Sequence, residues 1–556
     1  MEQHQHHSRH HGGPVASVDS SFSRDTGGLP EAKCSETVVL RDGNALDLRA
    51  LAVRKRIGDA AVRMLGYNGS IPGPILRVAQ GAQVTVHFTN ETDVDTTVHW
   101  HGLRLDHHFD GVPHDHGGMQ PPIPVGGTFT YRLRFPDPGA YWYHPHIRED
   151  YAQEMGLYGN ILVEPSDPAY WSPVNREIAL TLDDILIEEG QVAPFSRTES
   201  NRTAMGRYGN VLLVNGETEY TLEASRGEVI RLYLTNTANV RVFNVSIPGA
   251  RMKLVGGDGG RVEREEFVEE VLLAPSERVI VDVLFDNVGR FPLEHRTPDR
   301  RYTMGSVTVS DSPVERSFAA EFGTLRRSEE LAAERERIET DLNRPPDKTL
   351  ALVGEMGQMS GMDHGSGRHM DHGGHGGHHT EHGGHGGGRH MAHDAGHQMG
   401  HDKDRHGMTA ESGGGEDGGI EWEDTMEMHN RMTTPANMRW KLVDRATGAA
   451  NQEIDWSFQV GDRVKIRIEN DPHSDHPMQH PFHIHGERFL VLSRDGVPND
   501  NLVWKDTTLL RTGETVDLLL EASNPGIWMA HCHIAEHLES GMMLSFRVVG
   551  VGSEDA

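Results

Sequence analysis

A histidine-rich module occurs twice in this chain, and its spacing constrains the fold more than any other feature. The first copy contains HWHG at 99–102 and WYHPH at 142–146, and the second contains HIHG at 483–486 and MAHCH at 529–533. The second histidine of the first motif and the first histidine of the second motif are 43 residues apart in one copy (101 to 144) and 46 in the other (485 to 531). Such an internal repeat predicts one structural unit that is used at least twice.

The segments around the motifs have the pattern of short β-strands. They alternate in polarity or are rich in β-branched residues, and Gly, Pro, Asn or Asp bound them. The clearest are VTVHF (84–88), TFTYRLRF (128–135), VIRLYLTN (229–236), VIVDVLFD (279–286), VKIRIEN (464–470) and TVDLLLEA (515–522). Many short strands with frequent turn signals predict an all-β chain built of β-sandwiches.

A third copy of the unit lies between the other two, without their histidine pairs. Residues 271–296 run parallel to residues 508–533 when Gly289 is aligned with Gly526. The alignment places Glu294, His295 and Arg296 at the positions of His531, Cys532 and His533, and Asn244 and Ser246 at those of His483 and His485. We therefore expect the middle copy to be a spacer that supplies no metal ligand.

Several hydrophobic cores are expected, because 556 residues exceed what one core can organise. We predict a disordered His-rich tail at 1–35, domains at 36–166 and 167–315, a connecting helix or linker at 316–344 and a third domain at 345–552. Within the linker, residues 326–342 have a helical sequence that stops before Pro345 and Pro346. A Gly-, His- and Met-rich insertion at 355–415 interrupts the third domain and has too few apolar residues to form a core.

The bulk composition excludes several function classes. Lys and Arg number 53 and Asp and Glu 83, which gives a net charge of −30 that repels nucleic acid and anionic lipid. No apolar run approaches the roughly 18 residues that span a bilayer, and the start of the chain has no secretion-signal pattern. With Cys34 and Cys532 as the only cysteines, a disulfide framework is excluded.

The stretch HCHIAEHLESGM at 531–542 places its cysteine between two histidines. Residues two apart on a strand face the same way, so His531 and His533 face one side and Cys532 faces the other. A thiolate, two imidazoles and a weak thioether are the ligands of a blue-copper electron-transfer site. Cys532, His537 and Met542 supply three of them, and His480 supplies the fourth.

The opposite face then needs a second metal site. The four H-x-H pairs, at 99/101, 144/146, 483/485 and 531/533, offer eight imidazoles, which suit a three-copper cluster shared between the outer copies. A lone H-x-H pair among 37 histidines is more often a chance event or a surface feature, but four pairs in register within two repeats favour a metal. Structural zinc sites usually close with several cysteines at C-x-x-C spacing, which this chain lacks.

HWHG, WYHPH, HPFHIHG and HCHIAEHLESGM resemble the four copper-binding motifs of the multicopper oxidases. The resemblance covers residues 36–552 apart from the insertion and implies three cupredoxin-like Greek-key β-sandwich domains that hold four copper ions. It assigns His480, Cys532, His537 and Met542 to a type 1 copper, His99 and His483 to a type 2 copper, and His101, His144, His146, His485, His531 and His533 to a type 3 pair.

The resemblance also implies the chemistry. Single electrons leave a reductant at the type 1 copper and reach the cluster through Cys532, which is covalently continuous with His531 and His533. Dioxygen is then reduced to water with four electrons. Met542, where some relatives have Leu or Phe, predicts a type 1 potential in the lower part of the family's range, because a thioether donor favours Cu(II).

Dioxygen reduction consumes protons, and Asp110 in HHFDGVP resembles the carboxylate that hydrogen-bonds cluster water in relatives. The alternative is a turn aspartate before Gly111. Some relatives also carry an acid directly after the second type 1 histidine, where this chain has Leu538. Glu536 and Glu539 are candidates for that task or are simple surface charges.

The insertion and the segment before His480 suggest cuprous ion as a reductant. Thioethers favour Cu(I), so the insertion could collect copper and present it to the type 1 site, or it could be a solubilising loop. Met478 resembles the methionine beside this histidine in relatives that oxidise cuprous ion, and Asp475 and His476 could complete a substrate-copper site. The alternative role for Met478 is packing.

The sequence therefore predicts a laccase-like multicopper oxidase that uses dioxygen and either cuprous ion or small phenolic or aromatic-amine reductants, with a role in copper tolerance. Copper nitrite reductase is one alternative, although that family typically has two domains per chain and no trinuclear site. A copper-sequestering protein with a vestigial oxidase site is another. Relatives usually work in the periplasm or outside the cell, whereas the start of this chain shows no leader.

Overall fold

The computed structural model describes residues 21–357 and 418–550. The predicted insertion at 355–415 therefore lies almost entirely outside the described residues, as does the first part of the predicted tail. The structure departs from the predicted disordered tail at residues 21–35, the part of it that is described. Phe22 stacks on Tyr151 with 3.6 Å between the ring centroids, and its N–H donates to the Phe195 carbonyl. Residues 31 and 33 form β-bridges with residues 54 and 70, and the segment packs on the protein because it buries the Phe22 side chain.

Strands from residues 37–164 form the first β-sandwich. Its sheets have the strand orders β3-β2-β5-β7 and β1-β4-β9-β8-β6. The strands are β1 (Thr37–Leu40), β2 (Ala45–Ile57), β3 (Ala60–Tyr67), β4 (Ile75–Ala79), β5 (Gln83–Glu91), β6 (His99–His101), β7 (Thr128–Arg134), β8 (Gly139–His144) and β9 (Gly159–Glu164). Side chains of both sheets meet in one buried cluster, which contains Leu48, Val86 and Ile161 among others.

The second sandwich takes up residues 176–313. Its strands are β10 (Arg176–Ile185), β11 (Ile187–Glu188), β12 (Gln191–Val192), β13 (Val211–Val214), β14 (Tyr220–Arg226), β15 (Glu228–Asn236), β16 (Phe243–Ser246), β17 (Arg251–Gly257), β18 (Gly260–Val268), β19 (Val271–Leu273), β20 (Arg278–Phe285), β21 (Gly289–Arg296) and β22 (Arg301–Pro313). The sheet orders are β13-β10-β15-β20-β17-β18 and β14-β22-β21-β16-β19, beside a β11-β12 ribbon.

The third sandwich combines residues 348–356 with residues 438–549. Its strands are β23 (Lys348–Met356), β24 (Met438–Asp444), β25 (Trp456–Gln459), β26 (Arg463–Asn470), β27 (His480–Ile484), β28 (Arg488–Arg494), β29 (Val497–Pro498), β30 (Thr507–Leu510), β31 (Thr515–Glu521), β32 (Gly526–Cys532) and β33 (Met543–Val549). The sheet orders are β24-β23-β26-β31-β28-β29 and β25-β33-β32-β27-β30.

The five-stranded sheets confirm that one unit is used three times. The order β14-β22-β21-β16-β19 of the second sandwich matches β25-β33-β32-β27-β30 of the third strand for strand, and β4-β9-β8-β6 of the first matches their first four positions. The predicted all-β fold is therefore correct. The predicted domain limits at 166, 315 and 345 remain predictions.

Helices are few among the described residues, and all but α3 have four or five residues. They are α1 (Glu149–Ala152), α2 (Ala319–Phe322), α3 (Glu329–Asn343), α4 (Glu427–Asn430) and α5 (Ala535–Glu539), with 3₁₀ turns at His107–Phe109, His114–His116 and Asn451–Glu453. Helix α3 lies in the predicted linker, and the Ser328 hydroxyl caps its start by accepting from the Leu331 N–H. Among the described residues, no helix is long and apolar enough to cross a membrane.

Pairing between neighbouring strands brings the histidine motifs side by side. In the first sandwich β6 pairs with β8 antiparallel, and His99 lies opposite His144. In the third, β27 pairs with β32 antiparallel, and His483 lies opposite His531. In the middle copy the corresponding strands β16 and β21 also pair, with Ser246 opposite Glu294. Because Glu294 stands at the position of His531, this register places Ser246 at the position of His483, and the alignment with His485 given above is wrong by two residues. The fold thus presents ligand-bearing strand pairs from the first and third sandwiches.

Candidate metal centres

The eight histidines of the H-x-H pairs converge in one buried pocket between the first and third sandwiches. Each is at most 1% exposed. The rings form two triads, and each triad contains residues of both sandwiches. In the first triad His101, His144 and His533 have centroids 5.0–5.6 Å apart, and in the second His146, His485 and His531 are 5.1–5.3 Å apart. The remaining two rings, of His99 and His483, lie 5.7 Å apart.

Backbone carbonyls fix the orientation of four of these rings. In the first sandwich, the Nδ1–H of His99 donates to the Asp110 carbonyl and that of His144 to the Pro145 carbonyl. In the third, the Nδ1–H of His483 donates to the Asp506 carbonyl and that of His531 to the Cys532 carbonyl. All four distances are 2.7–2.8 Å. A ring that donates through Nδ1 keeps Nε2 as a lone-pair acceptor. The Nε2 atoms of His99, His144 and His483 are buried and have no hydrogen-bond partner within the described residues. This is how proteins orient metal-binding imidazoles.

Two ring nitrogens that face each other show most clearly that the pocket suits cations. His485 Nε2 and His531 Nε2 are 3.0 Å apart. The Nδ1–H of His485 donates to Asp110 Oδ2 at 2.9 Å and that of His531 to a carbonyl, so both Nε2 atoms carry lone pairs. Two lone pairs at this distance repel each other unless a cation lies between or beside them. The donor set therefore fits a bound metal ion.

Two aspartates tie the first and third sandwiches together at the pocket. The Asp110 carbonyl accepts from His99 of its own sandwich, while its carboxylate accepts from His485 of the third. Asp506 repeats this arrangement in reverse: its carbonyl accepts from His483, and its Oδ1 lies 3.0 Å from Nε2 of His101 in the first sandwich. Asp110 was expected near the cluster and is there, 3% exposed. Asp506 was not identified from the sequence.

A second group of ligand atoms surrounds the thiol of Cys532. Its Sγ is 3.4 Å from His480 Nδ1 and 3.6 Å from His537 Nδ1, and the two nitrogens are 3.3 Å apart. The centre of such a triangle is about 2.0 Å from each corner, close to the usual bond length between a first-row metal ion and an imidazole nitrogen. All three residues are buried. The triangle therefore fits one metal ion.

Met542 is held beside this triangle by its backbone. Its N–H donates to the His537 carbonyl at 3.0 Å, and its carbonyl accepts from the Cys532 N–H at 3.2 Å. The side chain is buried in the same hydrophobic cluster as Cys532. Trp440 covers the other ligands, with centroids 4.8 Å from the ring of His480 and 4.2 Å from that of His537. An apolar enclosure of this kind keeps water from the ligands.

Burial also sets the protonation of the ligands. It lowers the pKa of His480 and His531 to about 3. It lowers the pKa of the other affected imidazoles well below the usual value; they are His101, His144, His146, His483, His485, His533 and His537. Burial raises the pKa of the Cys532 thiol, so this sulfur becomes a thiolate only when a cation is bound. Neutral imidazoles are ready to bind metal at neutral pH.

Leu538, at the position where some relatives have an acid, is apolar and buried. Glu536 is not a surface charge: it is 1% exposed, it accepts from the Asn239 amide at 2.6 Å, and burial raises its pKa to about 7. Burial and neighbouring Asp150 raise the pKa of Glu539 to about 8. Glu149, buried with an oxygen 3.1 Å from His146 Nδ1, was not identified from the sequence.

The three residues predicted for a substrate-copper site do not share one environment. Met478 is buried in the same hydrophobic cluster as Cys532, an environment that suits the packing role given above as its alternative. An Asp475 oxygen accepts from the Met356 N–H at 2.9 Å. His476 is half-buried, and its Nε2 lies 2.9 Å from the sulfur of Met205, a residue before β13 that no sequence motif marked. The His476 centroid is 6.1 Å from that of Trp440.

The chain is similar to known proteins over most of its length. Three family models, each described as multicopper oxidase, match residues 52–168, 177–309 and 422–550. A multicopper oxidase of Mycobacterium tuberculosis is 25% identical over 87% of this chain and 83% of its own length. A copper resistance protein A homolog of Pseudomonas syringae pv. tomato is 26% identical over 91% and 92%. Among solved structures, a multicopper oxidase from Campylobacter jejuni superposes with a TM-score of 0.63 at 23% identity, covering 95% of this chain and 99% of that one.

Proposed function

The chain belongs to the multicopper oxidase family, and on this premise we propose that it couples the one-electron oxidation of a small reductant to the four-electron reduction of dioxygen to water. The observation that carries the proposal is the convergence of eight buried imidazoles directly behind the thiol of Cys532. Residues adjacent in the chain, His531 and His533, belong to the pocket, and Cys532 belongs to the triangle.

We assign four copper positions to these residues. Copper there would supply one-electron chemistry at the thiolate and dioxygen reduction in the pocket. The type 1 position consists of His480, Cys532, His537 and Met542, the type 2 position of His99 and His483, and the type 3 pair of the two triads, His101, His144 and His533 with His146, His485 and His531.

The chain itself provides the electron path between the two sites. Cys532 is bonded through the backbone to both neighbouring histidines, and the His531 Nδ1–H also donates to the Cys532 carbonyl at 2.8 Å. This hydrogen bond adds a second, shorter connection from the cysteine residue to a ring of the pocket. Asp110 holds His485 and has a buried Oδ1 without a hydrogen-bond partner within the described residues, so its carboxylate is positioned to handle protons at the pocket.

We propose cuprous ion as one reductant, with small phenols and aromatic amines as others. The thioether of Met205 beside the His476 imidazole is a ligand pair that suits Cu(I). The centroid of the Trp440 ring is 6.1 Å from that of His476 and 4.8 and 4.2 Å from those of His480 and His537, which gives an aromatic path to the type 1 position. The name of the Pseudomonas syringae relative supports a role in copper tolerance.

Oxygen uptake by the copper-loaded protein tests the function. Cu(I), a phenol and an aromatic diamine are supplied in parallel, and we expect four reducing equivalents to be consumed per dioxygen without accumulation of peroxide. Cys532→Ser is the matched control, because it keeps the fold and the eight imidazoles but removes the thiolate. Copper-loaded wild-type protein that takes up no oxygen with any reductant would support sequestration, and reduction of nitrite without oxygen uptake would support a nitrite reductase. Either result would overturn the proposal.

A further inference from the structure

We propose that Arg278 of the middle sandwich is a positioning residue of the eight-histidine pocket, although that sandwich was expected to be only a spacer. The inference rests on the proposed function, since it concerns the geometry of the same copper cluster. Arg278 acts through Asp506: its two terminal nitrogens donate to the two carboxylate oxygens, Nη1 to Oδ1 at 2.7 Å and Nη2 to Oδ2. Such a bidentate pair fixes both the position and the plane of the carboxylate.

The contacts of Arg278 join all three sandwiches. Its Nε–H donates to the Ala140 carbonyl of the first sandwich at 2.8 Å. Within the second, its Nη1–H donates to the Ser276 carbonyl and its backbone N–H to Asp258 Oδ1, both at 2.8 Å. The third sandwich supplies Asp506. The side chain is completely buried. A guanidinium is suited to this place because its donors form a rigid fork, which the single ammonium of lysine does not reproduce.

Asp506 transmits this restraint to both outer sandwiches. Its Oδ1 lies 3.0 Å from Nε2 of His101, which is also 3.0 Å from the Thr507 hydroxyl. Its carbonyl accepts from Nδ1 of His483 at 2.8 Å. His101 and His483 stack with 3.8 Å between their centroids, one from each outer sandwich. A shift of Asp506 would therefore move two rings at the same time: His101 of the first triad, and His483 of the pair that it forms with His99.

Asp110 is the counterpart of Asp506 in the first sandwich, but it has no arginine partner in the part of the chain that the structure describes. Both aspartates make the same two kinds of contact with the pocket. Among the described residues, only Asp506 has an arginine on its carboxylate, whereas Asp110 Oδ1 makes no hydrogen bond and lies 3.3 Å from His99 Nδ1. We infer that the two acids have different tasks. Arg278 holds Asp506 as a fixed anchor, which leaves Asp110 as the acid that responds to the reaction.

Gly102, the glycine of the HWHG motif, lies against the salt bridge between Arg278 and Asp506. Gly102 has a φ of +84°, and a Cβ built there would collide with Asp506 Oδ2 and lie 2.9 Å from Nη2 of Arg278. The glycine after the second histidine thus permits the salt bridge to approach the ligand strand. Lys505, Asp258 and Glu277 complete the buried charge network, with Lys505 Nζ 3.1 Å and 3.2 Å from the two acids.

Arg278→Met and Arg278→Lys, each loaded with copper as the full chain, test the inference. In Arg278→Met we expect the blue absorption of the type 1 copper per chain to persist, while the type 2 paramagnetic resonance signal changes and copper content falls below that of the wild type. Oxygen turnover should fall about 10–100-fold, the usual effect of removing a group that orients a metal ligand. Arg278→Lys should recover part of the signal, because it restores the charge without the fork.

Arg231→Met is the matched control. Arg231 is also buried in the middle sandwich and makes a bidentate pair with Asp282 at 2.8 and 3.0 Å, without contact with the pocket. Its loss should lower the thermal unfolding temperature of the copper-free protein as Arg278→Met does, but leave the copper signals unchanged. Unaltered copper content and resonance in Arg278→Met, or equal changes in both methionine variants, would overturn the inference. A wild-type protein without blue or type 2 signals would instead contradict the proposed function.

Discussion

Replacing His480 by leucine is expected to weaken the acid sensitivity of the copper-free protein. Burial lowers the pKa of His480 to about 3, whereas an unfolded histidine titrates near 6.5. Between these values the unfolded chain binds the proton and the folded chain does not, so the stability that is present above pH 6.5 is lost as the pH falls toward 3. Each pH unit below 6.5 lowers the free energy of unfolding by about 1.4 kcal/mol for such a group. At pH 5, about 1.5 units lower, His480 alone should therefore reduce it by about 2 kcal/mol.

Carboxyl groups with raised pKa, such as Glu536 and Glu539, contribute in the opposite direction, since they gain stability as the pH falls. The informative quantity is therefore the difference between two proteins. Between pH 7 and pH 5, the free energy of unfolding should fall about 2 kcal/mol less for His480→Leu than for the wild type. Denaturant titration at several pH values, followed by tryptophan fluorescence, measures it.

Two controls make this test decisive. His473→Asn removes an exposed histidine outside the ligand set, and it should leave the difference between the wild type and His480→Leu unchanged. Copper-loaded wild-type protein should be more stable than the copper-free protein at pH 7, and this margin should shrink at pH 5, because copper binding releases protons and therefore weakens as the pH falls. If copper-free His480→Leu and wild-type protein lose stability in parallel from pH 7 to pH 5, then this ring is not held neutral by burial, and the reasoning fails.

Further substitutions test the other parts of the site. Cys532→Ser should abolish the blue colour and turnover together, and a blue or active variant would contradict the assigned electron entry. Asp110→Asn should lower oxygen turnover about 10²–10⁴-fold, the range for loss of a general acid or base, while the blue absorption persists; unchanged turnover would leave this residue only a turn aspartate. Met205→Leu and His476→Gln should slow oxidation of Cu(I) and spare phenol oxidation, with the buried Met304→Leu as control; equal effects on both substrates would refute the substrate-copper site. Deletion of 356–408 should likewise weaken cuprous oxidation more than phenol oxidation. Equal effects on both substrates would refute a metal-collecting role for the insertion.

The ligands could be recognised from the sequence because strand geometry is local. A period of two determines that His531 and His533 share a face and Cys532 takes the other, and the repeat indicates that a second H-x-H strand lies alongside. The structure brings the eight rings together as this argument requires. The repeat likewise identified the middle copy, whose five-stranded sheet has the same strand order as that of the third sandwich.

The residues that support the ligands were missed because their partners are distant in sequence. Arg278 and Asp506 are 228 positions apart, and Met205 and His476 are 271 apart. No periodicity links such pairs, since they depend on how the sandwiches dock. The alignment of the middle and third copies did contain one cue, because it sets Arg278 opposite Thr515 at the start of a strand. A cation at the start of a buried strand needs an anion, but the sequence does not say which acid supplies it.

Diffraction from crystals of the copper-loaded protein, recorded on both sides of the copper absorption edge, tests the central claim most directly. The account predicts four anomalous peaks per chain: one inside the triangle of His480, Cys532 and His537, and three among the eight imidazoles between the outer sandwiches. A peak at the triangle alone, or metal bound elsewhere with the imidazole pocket unoccupied, would contradict it.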